Sequence, residues 1–350
     1  MKNELKVLHI LNTATFSGAE NVVITIINNY PENIHGYYMG KKGSIKEYLQ
    51  EYKIPNILFD KINIASIRRA VKKIHPDIIQ AHDYTTSILA VAANTGVPVI
   101  SHLHNNSPWL KKYGLKSLTY CWAAERTKKI LAVSDSIMDE YVFGRKFSEK
   151  TVVMGNPIDF SRIRRLSGTQ ETEKLYDIIF LGRETPQKNP LLFLQIMQAL
   201  VEKNKKIKAV IVGNGEMHDQ VTEWIHEFHM ENYVTQVGNQ KNPYIFVKES
   251  KVMCMPSKWE GFGLAAVECL CLGLPVVCSG EGGLKGIVDE SCGKICGEEI
   301  ATYTEEIEKL LADDTYYQSK SAAAINKAEK FDTLDDYMVK LQDIYRDILE

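Results

Sequence analysis

Ser257-Lys258-Trp259-Glu260-Gly261-Phe262-Gly263-Leu264-Ala265-Ala266-Val267-Glu268 is the stretch whose reading decides the rest. Two carboxylates stand eight residues apart, with a Gly-x-Gly turn after the first. From Leu264 to Leu272 every side chain except Glu268 is apolar. Gly273 closes the run and Pro275 blocks its continuation, which predicts a short buried helix. A helix apolar on all sides belongs in an interior, where a carboxylate is costly unless something meets it. Glu260 falls in the loop at the helix's N-terminal mouth, beside backbone N–H groups from Gly261 to Ala265. That mouth is a ready anion site. Taken alone, the pair fits equally well a loop carboxylate favoured by the helix dipole and a core carboxylate held by a hydroxyl.

Outward from this stretch, strand-like and helix-like runs alternate. In the first half the strands are read at Leu5–Leu11, Gly36–Met39, Asn56–Phe59, Asp77–His82, Val97–His104, Ile130–Ser134 and Val152–Met154. Amphipathic runs such as Ile64–Ile74 and Thr85–Asn94 separate them. A second series follows with Asp177–Leu181, Ala209–Val212, Tyr233–Val237, Lys251–Met255 and Pro275–Cys278. Alternation of this kind predicts α/β domains with parallel sheets covered by helices on both faces. The polar stretch through Leu166-Ser167-Gly168-Thr169-Gln170-Glu171 reads as the linker. A chain of 350 residues suits two such domains.

Charge is uneven. Residues 1–165 hold 23 Lys/Arg against 14 Asp/Glu, leaving 19 against 30 in residues 166–350. A basic half beside an acidic half suggests an anionic partner for the first, although a solvated basic surface gives the same count. Trp109-Leu110-Lys111-Lys112-Tyr113-Gly114-Leu115-Lys116 mixes aromatic and basic residues as an interfacial membrane contact does. No secretory signal or membrane-spanning run is read. A pI near 6.5 and the lack of a recognition motif argue against nucleic acid. The seven cysteines match neither zinc nor redox spacing and read as buried thiols in a reducing cytoplasm.

In parallel sheets ligands meet the carboxyl ends of the strands. There the sequence offers Gly18 at the start of a helix, and His102 and His104, which strand alternation sets on one face. In the second half come Gly182-Arg183-Glu184-Thr185-Pro186-Gln187-Lys188-Asn189-Pro190 and Gly213-Asn214-Gly215-Glu216. Asn189 and Pro190 suit a helix start. Arg183 and Lys188 crowd that positive helix end, a conflict that an anionic ligand such as a diphosphate would remove. His218 stands where a dinucleotide fingerprint needs its third glycine, so a Rossmann oxidoreductase fits poorly. No Walker A, Ser/His/Asp signature, metal-spaced cluster or strand-borne Asp-x-Asp is read.

In order, Gly182-Arg183…Lys188-Asn189, Val212-Gly213-x-Gly215, Pro256-Ser257…Glu260-Gly261-Phe262-Gly263-Leu264…Glu268 and Gly273-x-Pro275-Val276-Val277 resemble the retaining GT-B glycosyltransferases of family 4. Ser17-Gly18-Ala19-Glu20, Ala132-Val133-Ser134-x-Ser136 and Asn156-Pro157-Ile158-Asp159 extend the likeness through the first half. The resemblance implies two Rossmann-like domains facing across a cleft. Residues 1–165 would bind the acceptor, joined by a C-terminal helix at 334–350, and 170–333 would bind the donor. Arg183 and Lys188 would hold the donor diphosphate, Glu268 the ribose and Glu260 the transferred sugar. Amides of Gly261, Phe262, Gly263 and Leu264 would reach sugar and phosphate. Gly18 would lie beside the phosphate, and loops near Gly213 and Gly238 would meet the base. Glu260, His104, Arg183 and Lys188 would form the catalytic set, without metal or cofactor.

The activity implied is transfer of a hexose-type sugar, UDP-linked in preference to GDP-linked, to a glycan hydroxyl. The acceptor would be lipid-linked, at the inner face of the cell membrane. A nucleotide-sugar 2-epimerase and a non-catalytic nucleotide-binding subunit are the alternatives; the intact Glu-x7-Glu pair favours transfer. Ser17 for the first glycine of Gly-Gly-x-Glu, Pro157 for a glycine, and Gly286 for a glutamate depart from the family pattern.

Overall fold

The computed structural model describes residues 4–168 and 172–350. Two compact units divide it, residues 1–158 with Thr333–Glu350, and Asp159–Asp332. The sequence placed the boundary at 165; the helix Phe160–Ser167 instead belongs to the second unit. Its Phe160 and Ile163 are buried, so its apolar face anchors it there rather than in a linker. Thr169, Gln170 and Glu171 of the expected linker lie outside the described residues.

The first unit is a parallel sheet of β1 (Leu5–Ile10), β2 (Ile34–Lys41), β3 (Asn56–Phe59), β4 (Ile78–His82), β5 (Val99–Leu103), β6 (Lys129–Ala132) and β7 (Thr151–Val153). Their spatial order is β3-β2-β1-β4-β5-β6-β7. The order reverses between β1 and β4, where such sheets take their ligands. β4 and β5 are buried along their whole length. Central parallel strands are normally runs of Val, Ile and Leu. These two carry Gln80, His82, Ser101 and His102, all buried. The final helix Leu334–Leu349 turns Tyr337, Met338, Leu341, Ile344 and Tyr345 inward.

The second unit repeats the plan with β8 (Tyr176–Leu181), β9 (Ala209–Val212), β10 (Val234–Gly238), β11 (Ser250–Met255), β12 (Val276–Cys278) and β13 (Gly293–Ile295). The order is β10-β9-β8-β11-β12-β13, reversing between β8 and β11. Its core joins the helices Pro190–Lys203 and Ile300–Ala312 to the sheet through Phe193, Met197, Leu200, Tyr303 and Ile307. β13 escaped the sequence reading because it is three residues long and polar at Lys294. The expected buried helix runs Leu264–Cys271, and Gly273 follows at φ +75°. Such a left-handed residue ends the helix cheaply only as glycine. All seven cysteines are free and buried.

Candidate active site

In the second unit the loops after β8 and β11 flank the switch point. Lys188 Nζ meets Glu260 Oε1 at 2.5 Å, with the two side chains 14% and 6% exposed. A stitched backbone sets this pair. Gln187 O accepts from Lys258 N at 2.8 Å, and Gln187 Nε2 donates to Trp259 O at 3.1 Å. Arg183 Nη2 donates to Gln187 Oε1 at 3.2 Å while its side chain lies exposed. Arg183, Lys188 and Glu260 are thus gathered, with Gln187 as a link the sequence reading passed over. Asn189 precedes the helix at φ 56° without a side-chain cap bond, so the helix start keeps backbone donors unspent.

Glycines bring the neighbouring strand ends close. Gly213, at φ +140°, donates to Gly238 O at 2.9 Å, and a Cβ on it would stand 1.9 Å from Gly182 O. Gly238, at φ +66°, faces open space. Gly263 opens the helix Leu264–Cys271 at φ +105°, with Leu284 filling the place of its side chain. The turn at Gly283 packs against the carbonyls of Gly261 and Phe262. Phe262 meets Phe331 edge-on at 6.0 Å.

Glu268 accepts from Tyr244 Oη at 3.2 Å. Burial pushes its carboxyl up to about 7, against the pull of that hydroxyl and of the Arg162 and Lys188 cations. The hydroxyl expected of a core carboxylate is therefore present, yet the acid still titrates near neutrality. Beneath the same strand ends Glu184 is fully buried. Its Oε2 lies 3.0 Å from His218 Nδ1 and accepts from Gln236 Nε2 at 3.1 Å. His218, read only as a missing glycine, begins the helix His218–Glu227.

In the first unit Gly18 opens the helix Gly18–Asn28 and is exposed. Glu20 is buried and accepts from Thr13 Oγ1 and Ser17 Oγ, locking the loop before that helix. His102 and His104 share a face, ring centroids 4.2 Å apart. His102 is fully buried. His82 Nδ1 faces His104 Nε2 at 2.8 Å, and His82 Nε2 faces His9 Nδ1 at 3.0 Å. Asn156 Oδ1 lies 3.3 Å from His104 Nδ1. Burial lowers all four imidazole pKa values, that of His9 to about 3. Their spacing gave the sequence reading no metal cluster, yet the fold brings ring nitrogens of His82, His102 and His104 within 4.8 Å. His82 and His104 direct theirs at each other.

Two parallel sheets of this order, with cations and carboxylates at the switch of one unit, fit the GT-B fold of glycosyltransferases. The model of glycosyl transferases group 1 matches residues 162–331, and that of glycosyltransferase family 4 matches 16–162. The chain belongs to the GT-B glycosyltransferases of family 4. It is 24% identical to the Campylobacter jejuni GalNAc-alpha-(1->4)-GalNAc-alpha-(1->3)-diNAcBac-PP-undecaprenol alpha-1,4-N-acetyl-D-galactosaminyltransferase, over 94% of this chain and 95% of that one. It is also 24% identical to an Escherichia coli UDP-Gal:alpha-D-GlcNAc-diphosphoundecaprenol alpha-1,3-galactosyltransferase, over 99% and 98%. The Anabaena HepE structure in complex with UDP-glucose shares the fold at TM-score 0.84 and 19% identity, covering 97% of this chain and 100% of that one.

Proposed function

We propose that this chain is a retaining, metal-independent glycosyltransferase. It moves a hexose-type sugar from a UDP-sugar to a hydroxyl of a lipid-linked glycan in surface polysaccharide synthesis. The observation that carries the reading is the Lys188–Glu260 pair at the mouth of the helix Leu264–Cys271. Without substrate the two charges neutralise each other. A donor diphosphate would draw Lys188 and Arg183 to its oxygens, and Glu260 would turn to the sugar hydroxyls. As the nucleotide leaves, negative charge builds on its phosphate. The two cations and the amides of Gly261–Leu264 stabilise that charge, while Glu268 holds the ribose. The leaving phosphate can itself take the acceptor's proton, so no separate base is required. Gly238, which faces open space, leaves backbone room for the base, while Gly213 lets its strand end approach Gly182. His104 would face the acceptor.

Both full-length relatives named above act on diphosphoundecaprenol-linked glycans, which supports a lipid-linked acceptor. The second also carries UDP-Gal in its name. Among the described residues no helix is long and apolar enough to cross a membrane. Contact with an anionic bilayer at the inner face of the cell membrane fits one patch of the first unit. Tyr113, Leu115, Leu118 and Trp122 are exposed there beside Lys111, Lys112 and Lys116.

The deciding experiment incubates the chain with UDP-sugars and a diphosphoundecaprenol-linked glycan, with chelator present. Product whose anomeric configuration by NMR matches the donor's supports the reading. Inversion, a strict metal requirement or epimerised donor would overturn it. A Lys111/Lys112/Lys116 triple alanine variant should co-sediment less with anionic liposomes; unchanged sedimentation removes the membrane contact.

A further inference from the structure

Hydrogen bonds around the buried histidines of the first unit form one unbranched chain. His102 Nδ1 meets Gln80 Nε2 at 2.8 Å, and Gln80 Oε1 accepts from Tyr345 Oη. Tyr345 Oη and Tyr30 Oη are 2.7 Å apart, and Tyr30 Oη is 2.9 Å from His9 Nε2. From His9 the chain passes through His82 to His104 and ends at Asn156. His9, His82 and His102 are buried and His104 half-buried, and desolvation keeps the four imidazoles neutral, each with one N–H and one lone pair.

Each link holds one proton, so a single choice fixes them all. With Tyr345 donating to Gln80, its oxygen must accept from Tyr30. Tyr30 then accepts from His9 Nε2–H, His9 Nδ1 from His82 Nε2–H, and His82 Nδ1 from His104 Nε2–H. The Gln80 amide donates to His102 Nδ1, which leaves the His102 proton on Nε2 as well. That atom has no partner among the described residues. Turning the Gln80 amide over reverses every link and moves all four protons to Nδ1. In one order His104 shows Asn156 a lone pair, which bonds only when the Asn156 amide turns its Nδ2–H to the ring; in the other an Nδ1–H donates to Asn156 Oδ1.

We propose that Gln80 and the Tyr345 hydroxyl of the C-terminal helix are positioning groups that set which ring nitrogen of His104 carries its proton, acting through Tyr30, His9 and His82. The consequence rests on the reading of His104 as an acceptor-side residue. A lone pair at Nδ1 would accept from a sugar hydroxyl, and an N–H there would donate to one. The wiring itself stands on the hydrogen-bond geometry. It ties the last helix to this site by a contact between residues 265 positions apart in sequence.

The test is long-range 1H–15N correlation on the full chain labelled at histidine, near neutral pH. His9, His82, His102 and His104 should report one common ratio of Nδ1–H to Nε2–H forms. In Tyr345→Phe the His102 ratio should depart from the other three, which stay equal. Tyr30→Phe makes the same cut if the first variant does not fold. Unequal ratios among His9, His82 and His104 in the native protein would overturn the proposal. So would imidazolium or metal-bound nitrogens, or a folded variant whose four ratios remain equal. A His104→Ala variant with undiminished transfer would remove the acceptor-side role and leave the proton order intact.

Discussion

At the switch point of the second unit an ammonium and a carboxylate meet at 2.5 Å. At that of the first unit two uncharged imidazoles, His9 and His82, meet at 3.0 Å. Both sheets reverse their strand order at the same place, the first carrying one strand more, but the burial differs. Lys188 keeps 14% of its side chain exposed, and a counter-charge lies beside it. His9 and His102 keep none, and among the described residues no carboxylate bonds to either ring. A partly open loop can hold ions that separate when an anion enters. A sealed strand end can hold polar groups only if they shed charge and share protons. One topology thus supports an electrostatic grip and a neutral hydrogen-bonded chain.

The largest effect that would sharpen this contrast is expected at Gly213. Gly213→Ala places Cβ against Gly182 O at 1.9 Å, on a backbone at φ +140°. Loss of more than about 4 kcal/mol, or failure to fold, is expected by urea denaturation. Gly238→Ala, which meets nothing within 4 Å, should cost about 1 kcal/mol. Equal losses would show that the close approach of β8 and β9 does not matter.

Next comes Lys188→Ala, which strands Glu260. A loss of about 3 kcal/mol is expected, with transfer reduced at least about a hundredfold. Adding Glu260→Gln should restore stability but not transfer. Restored transfer would make the pair merely structural and break the contrast.

Glu268 sharpens it through pH. Below its ordinary value of 4.5 the carboxyl is protonated whether folded or unfolded, and the penalty is absent. Between 4.5 and about 7 the unfolded chain releases the proton and the folded one keeps it. Native stability therefore falls across that window, by at most about 3 kcal/mol, and is level above it. Glu268→Gln should remove the slope from a series of Tm values between pH 4 and 8. A variant with the native slope would locate the titration elsewhere.

The smallest difference is expected within the first unit. His82→Leu takes one of two hydrogen-bond partners from each of His9 and His104, whereas His102→Leu frees only the Gln80 amide. His82→Leu should be the more destabilising by about 2 kcal/mol. Equal costs would mean the chain through His82 adds nothing beyond packing.

Much of this was legible because it is local. Helix caps, glycine turns and apolar periods act over a few residues, so the short helix after Glu260 and the alternating strands could be read directly. The boundary at 165 failed because the apolar face of Phe160–Ser167 was lost in a run of Arg and Ser. Gln80, His82 and Tyr30 went unread because single polar residues inside strand or loop runs carry no periodic signal. Gln187 was hidden in a loop whose cations drew the reading.

By itself the sequence determined the two α/β series, the positive loop at 183–188, and the glutamate pair at 260 and 268. It also placed His102 and His104 on one strand face. Only the tertiary structure decided that Lys188 would meet Glu260 across 72 residues, that Tyr244 would supply the hydroxyl for Glu268, and that Tyr345 would reach Gln80. The physical reason is range. Backbone geometry and side-chain period are written residue by residue, whereas partners for buried polar groups are chosen by which strand ends the sheet order brings together.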